Sequence, residues 1–235
     1  PSDDTVSTAK LQANAVTAAK FNADVISGQT ELATTPADTD ELLLSDNGVL
    51  KRIDYSHLKD GAGLVPVTQA SGTSATANVI VNGWITDTYE NYVMDYYFTV
   101  ATSGEAVSMT LYDSSGNISS GNNYDWSHIG IDGSDGSTET LYNSGQNAFR
   151  LCHGANDDTA RFSVTGRLIW LHPRLSGKRT TILHNMRMLN ASAQVWTFNG
   201  ALEFKGTNQL TGFYCNSTSG DIDNWGVRCY GIVNS

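Results

Sequence analysis

The chain has 235 residues, of which 40% are hydrophobic and 16% charged, and a formal net charge of −10. That length suits one or two domains with a sizeable core, while the acidic balance argues against nucleic acid as a partner, since phosphate contact needs clustered Lys and Arg. No run approaches the roughly 18 apolar residues of a spanning helix, so no membrane insertion is expected, and the polar, acidic start does not read as a leader.

The first quarter carries an internal repeat. Thr5 to Asn14 is followed at once by Ala15 to Asp24 in the same register, which spaces Val6, Leu11, Val16, Phe21 and Ile26 five residues apart. Steps of five rotate off any single face of a helix or a strand. Two ten-residue units cannot bury these side chains alone, so the segment is expected to pack on further copies of the same chain. After a polar link from Gly28 to Thr39, Glu41 to Ile53 reads as two apolar runs joined at Asn47-Gly48, the strongest short-range hairpin signal. Asp54 to Lys59 reads as one helical turn capped by Asp54. The predicted organisation is an attachment region over residues 1–60, a Ser/Thr/Ala-rich linker or edge strand over 61–78, and a β-domain over 79–235.

From Val79 onward short strands and turns dominate. Asn91 to Val100 alternates, with Tyr92, Met94, Tyr96, Phe98 and Val100 on one face. Val107 to Leu111 alternates too and ends in the turn Asp113 to Gly116. Ser119 to Gln146 is rich in Gly, Ser, Asn and Asp and reads as an exposed loop system. Phe162 to Leu171 is a strong strand whose Leu168-Ile169-Trp170-Leu171 is apolar on both parities. Thr180 to Leu189 and Gln194 to Phe204 supply further strands, the second with an Asn199-Gly200 turn signal. Leu210 to Cys215 and Trp225 to Val233 close the chain around Ser219-Gly220-Asp221. The expected fold is mainly β: an antiparallel sandwich or jelly roll behind a short, extended or partly helical oligomerisation and attachment segment.

Charge is unevenly placed. No Lys or Arg occurs from Asp60 to Phe149, and Arg150, Arg161, Arg167, Arg174, Lys178, Arg179 and Arg187 then arrive together. This basic span is expected to pair with the acidic one, within a chain or across subunits; the alternative is a surface for an anionic glycan. Cys152, Cys215 and Cys229 are odd in number and show no CxxC, which fits buried small apolar residues and synthesis in a reducing cytoplasm. A Cys215–Cys229 bond across a closing hairpin is the alternative.

Catalytic signatures are lacking. Asp221 with Asp223, Asp157 with Asp158, and Asp132 with Asp135 are carboxylate pairs, but all lie in turn-like sequence, where Asp bonds its own backbone. Gly130 to Gly136 lacks the spacing of a calcium loop, and His57, His128, His153, His172 and His184 show no metal-binding spacing. No enzyme activity, metal or cofactor is expected. Aromatics in loop-like sequence are the better lead: Tyr124, Trp126 and Tyr142, beside Asp125 and His128, are the candidate glycan contacts.

The Val-Thr-x-Ala-Lys repeat, Glu41 to Asp46 and Leu50 to Tyr55 together resemble the N-terminal parts of structural fibre proteins of marine tailed bacteriophages. The C-terminal half is similar to a recurring domain of such proteins, through Tyr89-x-x-Tyr92, the Ser/Gly-rich stretch reaching Tyr124, Thr165-Gly166-Arg167-Leu168 before His172-Pro173, and Ser219-Gly220-Asp221-Ile222 running to Tyr230-Gly231-Ile232. The resemblance implies a homotrimeric virion fibre or spike, assembled in the host cytoplasm. Its N-terminus would dock on other virion proteins, and its β-domain would bind host surface polysaccharide. A head-decorating fibre, a bacterial lectin-like adhesin and a small depolymerase are the alternatives.

Overall fold

The computed structural model describes residues 24–59, 63–157 and 162–233. The chain divides between Lys59 and Asp60 into two units. The first contains a single-turn helix α1 (Asp24–Ser27), strands β1 (Glu41–Asp46) and β2 (Val49–Asp54), and a second helical turn α2 (Ser56–Lys59). Asn47 and Gly48 both have positive φ (49° and 82°), as a two-residue hairpin turn requires. They set the register from Asp46↔Val49 to Glu41↔Asp54. Ion pairs Lys51–Asp46 and Arg52–Glu41 lie across the ladder. No bond from the Asp54 side chain caps this turn among the described residues; the amides of Tyr55 and Ser56 instead bond the carbonyls of Asp40 and Asp38 at 2.7 and 3.2 Å. No residue of the hairpin is buried, and Leu43, Val49 and Leu50 are 74, 59 and 70% exposed. Val6, Leu11, Val16 and Phe21 lie outside the described residues; Ile26 sits in α1, exposed.

The second unit is built from β3 (Leu64–Gly72), β4 (Asn78–Asn82), β5 (Asn91–Val100), β6 (Val107–Asp113), β7 (Gly116–Ile118), β8 (Tyr124–Asp132), β9 (Thr138–Gln146), β10 (Phe149–Arg150), β11 (Val164–Leu171), β12 (Thr180–Leu189), β13 (Val195–Phe204), β14 (Leu210–Ser217) and β15 (Ile222–Ile232). All pairings are antiparallel. The large sheet runs β3-β15-β5-β11-β12-β13-β8-β9, and the small one β10-β6-β14-β4, with β7 on β6. This is the expected sandwich. Alternation explains its core. Tyr92, Met94, Tyr96, Phe98 and Val100 of β5 are buried, as are Leu168 and Trp170 of β11 and Phe198, Leu202 and Phe204 of β13. Across from them lie Val107, Met109 and Leu111 of β6 and Phe213 and Cys215 of β14. Each such side chain, fully buried, is worth about 1.5–3 kcal/mol.

Several sequence readings change. Ser119 to Gln146 is not a loop system but contains β8 and β9, because Tyr124, Trp126, His128 and Gly130 alternate inward while polar Asp125 and Ser127 point away. Asn199-Gly200 is no turn. It lies within β13, where a Cβ at Gly200 would meet the Ser127 carbonyl oxygen at 2.1 Å and His128 Cδ2 at 2.2 Å, so glycine admits the neighbouring strand. Within the predicted linker 61–78, residues 64–72 form edge strand β3, where Pro66 lacks a donor only an inner strand would miss. β14 and β15 belong to different sheets, so they do not form the closing hairpin. Cys215 and Cys229 are accordingly free, as is Cys152, and all three are buried. On β11, Ile169 and Leu171 are half-buried rather than enclosed. The basic span does pair with acidic partners inside the chain: Arg167 with Asp95, Arg174 with Asp87, and Arg179 with Glu203.

Candidate functional site

The five candidate glycan contacts do not form one site. Tyr124 is fully buried; its hydroxyl accepts the Leu111 N–H at 2.9 Å and donates to the Ile118 carbonyl at 2.7 Å, tying β8 to the small sheet. Trp126 is turned inward too, its ring packed near His128, His153 and Phe149. His128 is buried in a polar thread through the core. Tyr96 Oη lies 2.6 Å from His184 Nε2, and His184 Nδ1 lies 3.0 Å from His128 Nε2. Desolvation holds the His128 and His153 pKa values down at about 4 and pushes that of His184 down as well, so all three rings are neutral at pH 7. These three β8 residues are therefore core, and not a platform for a sugar.

Asp125 and Tyr142 do face outward, beside an open hollow of about 460 Å³. Asp125 is already occupied. It accepts from the Gly145 amide at 2.6 Å and the Ser144 hydroxyl at 2.8 Å and pairs with Lys205 at 3.1 Å, and these bonds, the Gly145 amide first, lower its pKa to about 2. Asp132 and Asp135 hold the β8–β9 turn: Asp132 accepts the Ser134 amide and hydroxyl, and Asp135 the Ser137 amide.

A better-formed site lies at the other end of the large sheet, on the face turned away from the small one. There a groove of about 710 Å³ runs over β3, β15, β5 and the start of β11, within the size range of ligand pockets. Register builds it. Gln69, Arg228, Asp95 and Arg167 stand side by side on four adjacent strands, and Ser71, Gly226, Tyr97 and Thr165 form the next row. Gly226 leaves a gap that the Tyr97 ring fills: a Cβ there would meet Tyr97 Cε1, Cζ and Oη at 2.4, 2.5 and 2.6 Å. Phe162, 41% exposed, places its ring centroid 4.1 Å from that of Tyr97, at an interplanar angle of 31°. Asp95 takes Arg167 Nε at 2.6 Å and Nη2 at 2.8 Å, a two-pronged pair that raises the arginine's pKa further. The β3–β15 ladder is bulged where Cys229 and Tyr230 face Thr68 and Pro66, which bends the edge beside Arg228.

The groove thus joins a half-exposed aromatic pair to the fixed Asp95–Arg167 pair and to the side chains of Gln69 and Arg228. Sequence reading missed it because Asp95 and Tyr97 occupy the outward parity of β5, whose inward parity had drawn attention. The available signal was an aromatic and a carboxylate two apart on the solvent side of a core strand.

No protein-family model and no curated protein matches the chain. Among solved structures, a mutant of the Emp46p carbohydrate recognition domain aligns with 70% of this chain and 89% of its own, at 11% identity and a TM-score of 0.25. Infectious bursal disease virus Gt strain aligns with 81% of this chain at 12% identity and a TM-score of 0.16, and the VP2 subviral particle of that virus with 84% at 15% and 0.17. The chain spans about half of each viral chain, 46% and 48%. Likenesses this slight define no family. The class is given by the fold itself, an antiparallel β-sandwich with an open groove on its larger sheet.

Proposed function

We propose that the second unit is a glycan-binding sandwich that does no chemistry on its ligand, and that it is the distal part of a virion fibre or spike whose first unit trimerises and docks on the particle. The observation that carries the binding role is the Tyr97–Phe162 ring pair set in a groove beside Gln69, Asp95 and Arg228. Planar rings stack on the apolar face of a sugar, and neighbouring polar groups orient its hydroxyls. Among the described lining residues, Asp95 is the one carboxylate, and Arg167 engages both its oxygens. Glycoside hydrolysis uses two carboxylates across one sugar bond, so the groove favours binding over cleavage.

The attachment role draws on the first unit. A lone hairpin is marginal in water, and this one exposes Leu43, Val49 and Leu50. Other chains would cover them, and three copies about one axis are the arrangement that the resemblance to phage fibre proteins implies.

Binding to host surface polysaccharide, measured by biolayer interferometry, tests the groove. Tyr97→Ala is expected to weaken it about tenfold or more, roughly 1.4 kcal/mol, at an unchanged melting temperature. Binding that survives this change intact would sink the assignment.

A further inference from the structure

We infer that the glycan taken by this groove is acidic and that Arg228 reads its charge, an inference that rests on the groove being the glycan site. Arg228 and Arg167 flank Asp95 on adjacent strands. Asp95 turns both its oxygens to the fork of Arg167, at 2.6 and 2.8 Å, and forms no side-chain bond with Arg228 on the other flank. The Arg228 residue is exposed, and its guanidinium makes no hydrogen bond or ion pair among the described residues.

The other described arginines of this unit are taken. Arg174 holds Asp87, Arg179 holds Glu203, Arg187 donates to the Phe162 carbonyl at 2.7 Å, and Arg150 lies 3.3 Å from His153 Nδ1. A cation left uncompensated in a chain of net charge −10 could instead be an ordinary solvated side chain, but its position is against that. Arg228, Gln69 and Tyr230 line both the 710 Å³ groove and an adjoining one of about 340 Å³ along β3. A saccharide chain laid over the aromatic pair and onward along β3 would pass Arg228 midway. The guanidinium fork matches a carboxylate or a sulfate, while Gln69 supplies an amide for a neighbouring hydroxyl.

The test is titration calorimetry of the full chain with three probes: an oligouronate, a sulfated oligosaccharide and a neutral oligoglucan. The wild type is expected to prefer one acidic probe, with affinity falling as salt rises; which acidic probe wins tells carboxylate from sulfate. Arg228→Gln should lower that affinity by about tenfold to a hundredfold while lowering neutral binding far less, and Arg228→Lys should recover part of the loss. Tyr97→Ala should weaken all binding. A preference for the neutral probe, or acidic binding indifferent to Arg228→Gln, overturns the acidic inference while Tyr97 still reports on the groove. Binding indifferent to Tyr97→Ala, or none to any probe, overturns the groove reading and this inference together.

Discussion

His128 and His184 sit in the core without charge, and that has a consequence in acid. The folded pKa of His128 and of His153 is about 4, and that of His184 is also lowered, whereas in the unfolded chain histidine titrates near about 6.5. Between those values the unfolded state binds more protons, so stability is full above about pH 6.5 and is lost as pH falls toward 4. The Asp125 carboxylate, lowered to about 2, adds a second and lower window in which stability falls as it protonates. The melting temperature should therefore drop between neutral pH and about 5.5, before carboxylates titrate; a flat profile there would contradict neutral buried rings. Trp126 yields a second residue-scale prediction. At 6% exposure, Trp126→Ala should cost about 3–5 kcal/mol in urea unfolding, and a loss under 1 kcal/mol would return it to the surface.

Among the elements, those with an uninterrupted apolar parity were legible in the sequence, and β8, whose inward row runs on through His128 and Gly130, was not. β5 showed itself by Tyr92, Met94, Tyr96, Phe98 and Val100, and the β1–β2 turn by Asn47-Gly48. β8 was hidden because Asp125, Ser127 and the glycines around it have loop-like composition, although Tyr124, Trp126 and His128 alternate correctly. The groove was hidden for another reason: it depends on register among β3, β15, β5 and β11, which are far apart along the chain. Glycines separate fold from site at this scale. Gly200→Ala would press a Cβ against the Ser127 carbonyl and the His128 backbone, so a loss of about 1–3 kcal/mol is expected. Gly226→Ala meets the movable ring of Tyr97. It should leave the melting temperature nearly unchanged while weakening glycan binding; the reverse pattern would make Tyr97 a packing residue alone.

For the whole molecule, the two units differ in how they are held. Every residue of the described hydrophobic core lies at Val79 or beyond, so removing residues 1–59 should leave the melting temperature of the sandwich unchanged. Light scattering of the full chain should give three times the chain mass, and the shortened chain a monomer. A monomeric full chain would remove the trimer from the proposal without touching the groove. The charge asymmetry does not require neighbouring subunits, because Arg167, Arg174 and Arg179 find acidic partners in their own chain. The central claim is that glycan binds over Tyr97, and amide chemical-shift mapping of the isotope-labelled sandwich during titration with host polysaccharide fragments tests it most directly. Shifts should gather at Gln69, Asp95, Tyr97, Gly226 and Arg228; shifts centred instead on Asp125, Tyr142 and Ser144 would contradict it.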